Sequence, residues 1–175
     1  MVQSVELLLD ETTEQRIRRQ WELLRQAGLP GRGRRSGENE NHRPHITVAV
    51  AREIWPQVER ELDELAFQPF PIRLGGVLVF GSRRPIVVRA VVPSDDLLAW
   101  HRQVYRIVAP CPDIPPNLRP QQWTPHITLA RRILPQRIGD AVTAVAAERD
   151  STATVVGLRR WDGDGRRAWP IAQTG

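Results

Sequence analysis

Apolar residues along the chain recur with a period of two in some stretches and close to four in others, and each switch marks an element. SVELLLD (4–10) reads as a short strand. Ile17, Trp21 and Leu24 then share one face of a helix predicted over 11–27, which Gly28 stops. PGRGRRSGENEN (30–41) has no apolar anchor and reads as a mobile loop. Strand character returns over 44–50. A helix follows with Pro56 in its first turn and Ile54, Val58, Leu62 and Leu65 on one side. FPIRLGGVLVFG and PIVVRAVV read as strands joined around Gly81–Arg84, a hairpin.

The second half repeats this order less closely. Residues 94–109 read as a helix with Ser94 as N-cap and Asp95 and Asp96 in the first turn, where negative charge suits the helix dipole. A proline-rich loop (110–122), a strand (123–130) and a helix near 135–148 come next. Residues 151–161 and 166–173 close the chain as strands about the turn DGDG. Both halves thus run helix, loop, strand, helix, strand pair. The pattern predicts an internal duplication within one α+β domain over 1–175. Its first lobe would span roughly 1–92 and its second roughly 93–175, related by a pseudo-twofold. Antiparallel sheets would form a central cleft, with helices packed outside.

The strands at 44–50 and 123–130 carry the same four residues, Pro-His-Ile-Thr, and hold two of the chain's four histidines. On a strand, residues two apart lie about 7 Å from one another on the same face. His45 and Thr47 therefore point one way and Ile46 and Val48 the other. The same holds for His126 and Thr128 against Ile127 and Leu129. If the lobes face each other, two imidazoles flanked by two hydroxyls line one cleft. A ring that titrates near pH 6.5 can serve as base or as acid, and a pair of them suits in-line attack at phosphorus. Threonine hydroxyls can hold the non-bridging oxygens as charge develops there. The pattern itself leaves open which histidine is acid and which is base. A plain packing repeat would also place two such strands, without any binding site.

Composition narrows the chemistry. The 175 residues carry a net charge of +5, and all 25 basic residues are arginine. Without lysine there is no P-loop of the GxxxxGK type, no Schiff base and no lysyl-nucleotide intermediate. The single cysteine, Cys111, excludes an internal disulfide and a cysteine-based zinc cluster. MVQSVELLLD lacks the basic start and long apolar run of a signal peptide, and no stretch approaches a membrane span, so a cytoplasmic protein is expected.

Other residues carry weaker signals. His42 and His45 lie three apart, which on a strand means opposite faces, and neither frame holds an acidic residue; no metal and no other cofactor is expected. His101 sits among apolar helical neighbours and reads as core or rim. The six tryptophans are dispersed and read as core anchors. Arg131 and Arg132 follow the second frame directly, where a guanidinium fork would match phosphate oxygens. Arg32, Arg34 and Arg35 fall in a loop better read as solvated than as a nucleic-acid contact.

Two H-x-T motifs, His45-Ile46-Thr47 and His126-Ile127-Thr128, placed 81 positions apart in a duplicated α+β pattern, resemble the two-histidine (2H) phosphoesterase superfamily. Within it the chain looks most like a divergent branch of the bacterial RNA 2',5'-ligase or LigT-like group. The resemblance implies ring opening of RNA 2',3'-cyclic phosphates to 2'-phosphates, and ATP-independent 2',5' joining. It implies His45 as general acid toward the leaving 3'-oxygen, His126 as base on water, and Thr47 and Thr128 as phosphate-binding hydroxyls. Arg131, five after His126, falls where that group often carries an arginine serving the phosphate. Val48 and Val50 stand where the group typically has an aromatic residue.

The expectation is a metal-independent cyclic phosphodiesterase, acting as a monomer on RNA or a small nucleotide with a cyclic phosphate. Two other readings stay open. One is a different cyclic phosphate, such as that of ADP-ribose; the other is an RNA- or nucleotide-binding module with the same cleft and no turnover.

Overall fold

The computed structural model of the chain describes residues 2–32, 42–147 and 150–172. Strand β1 (Gln3–Leu9) leads through Asp10 into helix α1 (Glu11–Gln26). The Asp10 carboxylate caps that helix, accepting from the Thr13 amide at 2.9 Å and the Thr13 hydroxyl at 2.8 Å. Gly28 sits just past its end at φ 69°, a left-handed conformation that an L side chain resists. Then come β2 (His45–Ala51), α2 (Pro56–Asp63), β3 (Phe70–Phe80) and β4 (Ile86–Val91). They are followed by α3 (Asp95–Val108), β5 (His126–Ala130), α4 (Ile138–Val145), β6 (Ser151–Asp162) and β7 (Arg167–Ile171).

Most of these elements are those the periodicity predicts. Ser94 caps α3 as expected, accepting from the Leu97 amide. Ile54 and Leu65 flank α2 and are not part of it, yet both are buried with Val58 and Leu62. The helix expected from residue 135 opens as a 3-10 turn, Pro135–Arg137, before becoming α-helical. Most of the loop expected over 30–41 lies outside the described residues.

The seven strands make one antiparallel sheet in the order β1-β2-β5-β4-β3-β6-β7. β1 also pairs with β6, which closes the order on itself and leaves β7 outside. The length of β6 allows this, since residues 151–155 pair with β3 and residues 155–162 with β1. β2 and β5 meet at a single pair, Ile46 opposite Ile127. The pairing interleaves the two halves of the chain: β1 and β2 sit beside the end of β6, and β3 and β4 beside its start and β5. A boundary near residue 92 therefore separates halves of the sequence and not halves of the sheet. One long strand serving both sides is the reason.

Alternation assigns the two faces. Leu7, Ile46, Ile127 and Leu158 match across neighbouring strands and are all buried, on the face the helices cover. α1 and α4 pack together over β5 and β4, while α2 and α3 pack together with α3 against β2. Arg89 of β4 lies opposite Ile127 on this face and is buried. It donates to Gln20 of α1 at 2.7 Å and to the Val145 carbonyl of α4 at 3.1 Å, fixing both helices to the sheet. Among the described residues, no helix is long and apolar enough to cross a membrane.

Candidate active site

The two frames are built alike, atom for atom. His45 donates from Nδ1 to the Arg43 carbonyl at 2.7 Å, and His126 from Nδ1 to the Thr124 carbonyl at 2.7 Å. A carbonyl can only accept, so each ring carries its hydrogen on Nδ1 and keeps Nε2 for chemistry. Residues directly opposite in an antiparallel pair point to the same side. With Ile46 against Ile127 on the helix face, His45, Thr47, His126 and Thr128 all belong to the other.

Each frame is also pinned through its threonine carbonyl. Trp123 donates from its indole to Thr47 O, and Trp21 of α1 donates to Thr128 O, both at 3.1 Å. Trp123 in turn stacks on His101, with ring centres 4.0 Å apart. His101 is buried and donates from Nε2 to the Leu118 carbonyl at 2.9 Å, so it is a core buttress, as its neighbours in sequence suggest. Phe80 packs edge-on against His126 at 4.9 Å.

A cleft of about 260 Å³ opens on this face, with His45, Thr47, Arg131, Glu6, Arg159 and Trp161 in its walls. His126 and Thr128 are not among its lining residues, but Arg131 acts on both frames: it lines the cleft beside His45, and its charge bears on His126. Arg32 joins the same wall. Gly31 places it there, bridging Ala130 so closely against α1 that a Cβ would stand 2.4 Å from the Trp21 carbonyl. Arg32 donates to Nε2 of His42 at 3.1 Å. Arg34 and Arg35 lie outside the described residues.

Sequence reasoning missed the group beneath His45. Glu6 lies opposite Thr47 on one side and Arg159 on the other, and all three share the cleft face. Glu6 accepts from the Ser4 hydroxyl at 2.9 Å and from Arg159 Nε at 2.8 Å. Its Oε1 is 3.4 Å from Nε2 of His45. The signal was present in SVELLLD, where alternation puts Ser4 and Glu6 on the face opposite Val5 and Leu7.

Burial sets the pKa directions first. It drives His45 below the ordinary imidazole value; Glu6 and the Arg43 carbonyl oppose it, and Arg159 and Arg32 assist. His126 is lowered by burial, opposed by the Thr124 carbonyl and assisted by Arg131. Glu6 loses solvation, yet the charges of His45 and Arg159 and the hydrogen bonds of Ser4 and Arg159 take it below the usual carboxylate value. At neutral pH the site thus holds a carboxylate, rings that are mainly neutral and several guanidinium groups. With Arg32, Arg131 and Arg159 against Glu6, the charge in the cleft wall is net positive.

A sequence profile described as the 2'-5' RNA ligase superfamily matches residues 13–167. The chain belongs to the 2'-5' RNA ligase superfamily. No curated protein matches it by sequence. Several solved structures share its fold. TT0787 of Thermus thermophilus superposes with a TM-score of 0.59 at 17% identity, covering 100% of both chains. Escherichia coli LigT, complexed with 3'-AMP, gives 0.54 at 17% identity over 98% of each chain. Usb1 of Kluyveromyces marxianus, with uridine monophosphate, gives 0.54 at 13% identity over 97% of each chain. In this superfamily member, the paired histidine frames lie at the single ladder pair between β2 and β5.

Proposed function

We propose that the chain is a metal-independent cyclic phosphodiesterase that opens 2',3'-cyclic phosphates, at RNA ends or on small nucleotides, to 2'-phosphates. The observation that carries this reading is the matched pair of rings, each with Nδ1 fixed on a carbonyl two residues back and Nε2 left for proton transfer. In the hydrolytic direction, His126 takes a proton from water through Nε2 as the water oxygen bonds to phosphorus. The bond from phosphorus to the 3'-oxygen breaks, and His45 Nε2 gives that oxygen its proton. Thr47, Thr128 and Arg131 hold the non-bridging oxygens. Solvent then returns the proton from one ring to the other. With a 5'-hydroxyl attacking phosphorus in place of water, and the 3'-oxygen again leaving with the proton from His45, the same step joins RNA 2',5' without ATP.

The neighbours with 3'-AMP and uridine monophosphate support a nucleotide as substrate. So does Trp161 of β6, which brings to the cleft wall an aromatic surface that Val50 of β2 does not provide. The test uses excess chelator and a short RNA ending in a 2',3'-cyclic phosphate, with wild type beside His45→Ala and His126→Ala. The expected result is a 2'-phosphate product and a loss of about 10²- to 10⁴-fold in each variant. A folded wild type that binds the RNA without turnover would favour the binding-module reading. Turnover surviving both substitutions would overturn the site.

A further inference from the structure

Within the two-histidine phosphodiesterase reading, on which this rests, we infer that Glu6 is a positioning residue, held by Ser4 and Arg159, that favours a proton on His45 Nε2 over one on His126 and so casts His45 as the acid. The two frames are chemically identical, and only their surroundings can make them unlike. Under His45 lies a carboxylate whose Oε1 is 3.4 Å from Nε2, long for a fixed hydrogen bond and well within reach of a full charge. Ser4, Glu6 and Arg159 are all at least nine-tenths buried, with exposures of 5%, 4% and 5%. The carboxylate is therefore held in place by partners that solvent does not compete for.

A proton on Nε2 gives His45 an acceptor at each nitrogen, Arg43 O at one and Glu6 Oε1 at the other. The other charged groups around this ring are cationic: Arg159 from β6 and Arg32 after α1, with Arg131 also in the cleft wall. Burial and these cations disfavour the imidazolium and hold His45 below the ordinary imidazole value, and Glu6 is the charge that opposes them. His126 has the opposite surroundings. Among the described residues the charge acting on it is that of Arg131, a cation, which favours a neutral ring able to accept a proton. The loose Glu6 contact also suits an acid that must release its proton to the 3'-oxygen.

The experiment measures pH–rate profiles with uridine 2',3'-cyclic phosphate for wild type, Glu6→Gln and Glu6→Asp, and the ring ¹⁵N titrations of His45 and His126 in the same proteins. Activity that needs a protonated His45 falls as pH rises through its pKa. Glu6→Gln should move that falling limb to lower pH by about one unit and reduce kcat about tenfold on the alkaline side, with KM within about twofold. Glu6→Asp keeps the charge and should fall between the two. The His45 titration should move with the limb, and that of His126 should not. A falling limb unmoved in Glu6→Gln, or a shift in the rising limb instead, overturns the role of Glu6. The ring titrations require no turnover: a substrate that is not cleaved counts against the phosphodiesterase, while an unmoved His45 midpoint counts against Glu6. If Glu6→Gln fails to fold, the wild type decides, because the Glu6 carboxyl ¹³C signal should shift as His45 titrates. Indifference of that signal overturns the pairing.

Discussion

In the proposed mechanism Thr47 keeps its structural and chemical roles on different atoms. Its main-chain carbonyl accepts the Trp123 indole, while its side chain shares the cleft wall with His45. Thr47→Val removes the hydroxyl, preserves the branched shape and leaves the carbonyl bond intact. Loss of one donor to a developing phosphorane should lower kcat by about 10²-fold, by analogy with a single oxyanion donor. The melting temperature should stay within about 3 °C, since the change touches little that folding depends on. A large fall in melting temperature with kcat preserved would mark Thr47 as packing only. The alternation that defines this residue's face was legible from eight letters of sequence, as was that of His45, His126 and Thr128. Glu6 and Arg159 were not read as a pair, because they stand 153 positions apart and meet only through the β1–β6 register.

At the scale of elements, the separation of β2 and β5 is bridged by side chains. Only Ile46 and Ile127 pair between them, and beyond that pair Trp123, just before β5, reaches across to the carbonyl of Thr47 on β2. Its ring lies flat on His101 of α3, so one residue joins two strands and a helix. Trp123→Phe keeps an aromatic face for His101 but removes the donor. An acceptor left unpaired at a buried position costs about 1–3 kcal/mol. Urea unfolding should show a loss in that range, with kcat falling as well because the first frame loses its tether to the second. Stability unchanged within about 0.5 kcal/mol would show that water replaces the indole. The helices and strands themselves follow from periods and caps within about twenty residues. Which strand lies beside which does not, because β6 is shared between β3 and β1 by contacts that no local pattern encodes.

For the whole molecule, the absence of lysine concentrates pH dependence in few groups. The 25 basic residues are all arginine, which stays charged across the accessible range. His45, His101 and His126 are each held below the ordinary imidazole value, in every case first by burial. Their unfolded counterparts titrate near 6.5, so below that pH the unfolded chain binds protons that the folded chain refuses, and stability falls as pH drops from about 6.5 toward the folded values. Glu6, Asp10 and Glu14 are also lowered; burial opposes their ionisation, but their hydrogen bonds and neighbouring charges prevail. Their contribution is present above the unfolded carboxylate values of about 4 and is lost as pH falls through the lower folded ones. Chemical unfolding at pH 8, 6.5, 5 and 4 should therefore show a flat region, then a decline that begins with the histidines before the carboxylates titrate. His101→Phe isolates one part of it. Phe retains an aromatic face for Trp123 but cannot donate to Leu118 O, so it should lower stability at pH 8 and shallow the decline between 6.5 and 5. A decline of unaltered slope in that variant would assign the upper stage to His45 and His126 alone.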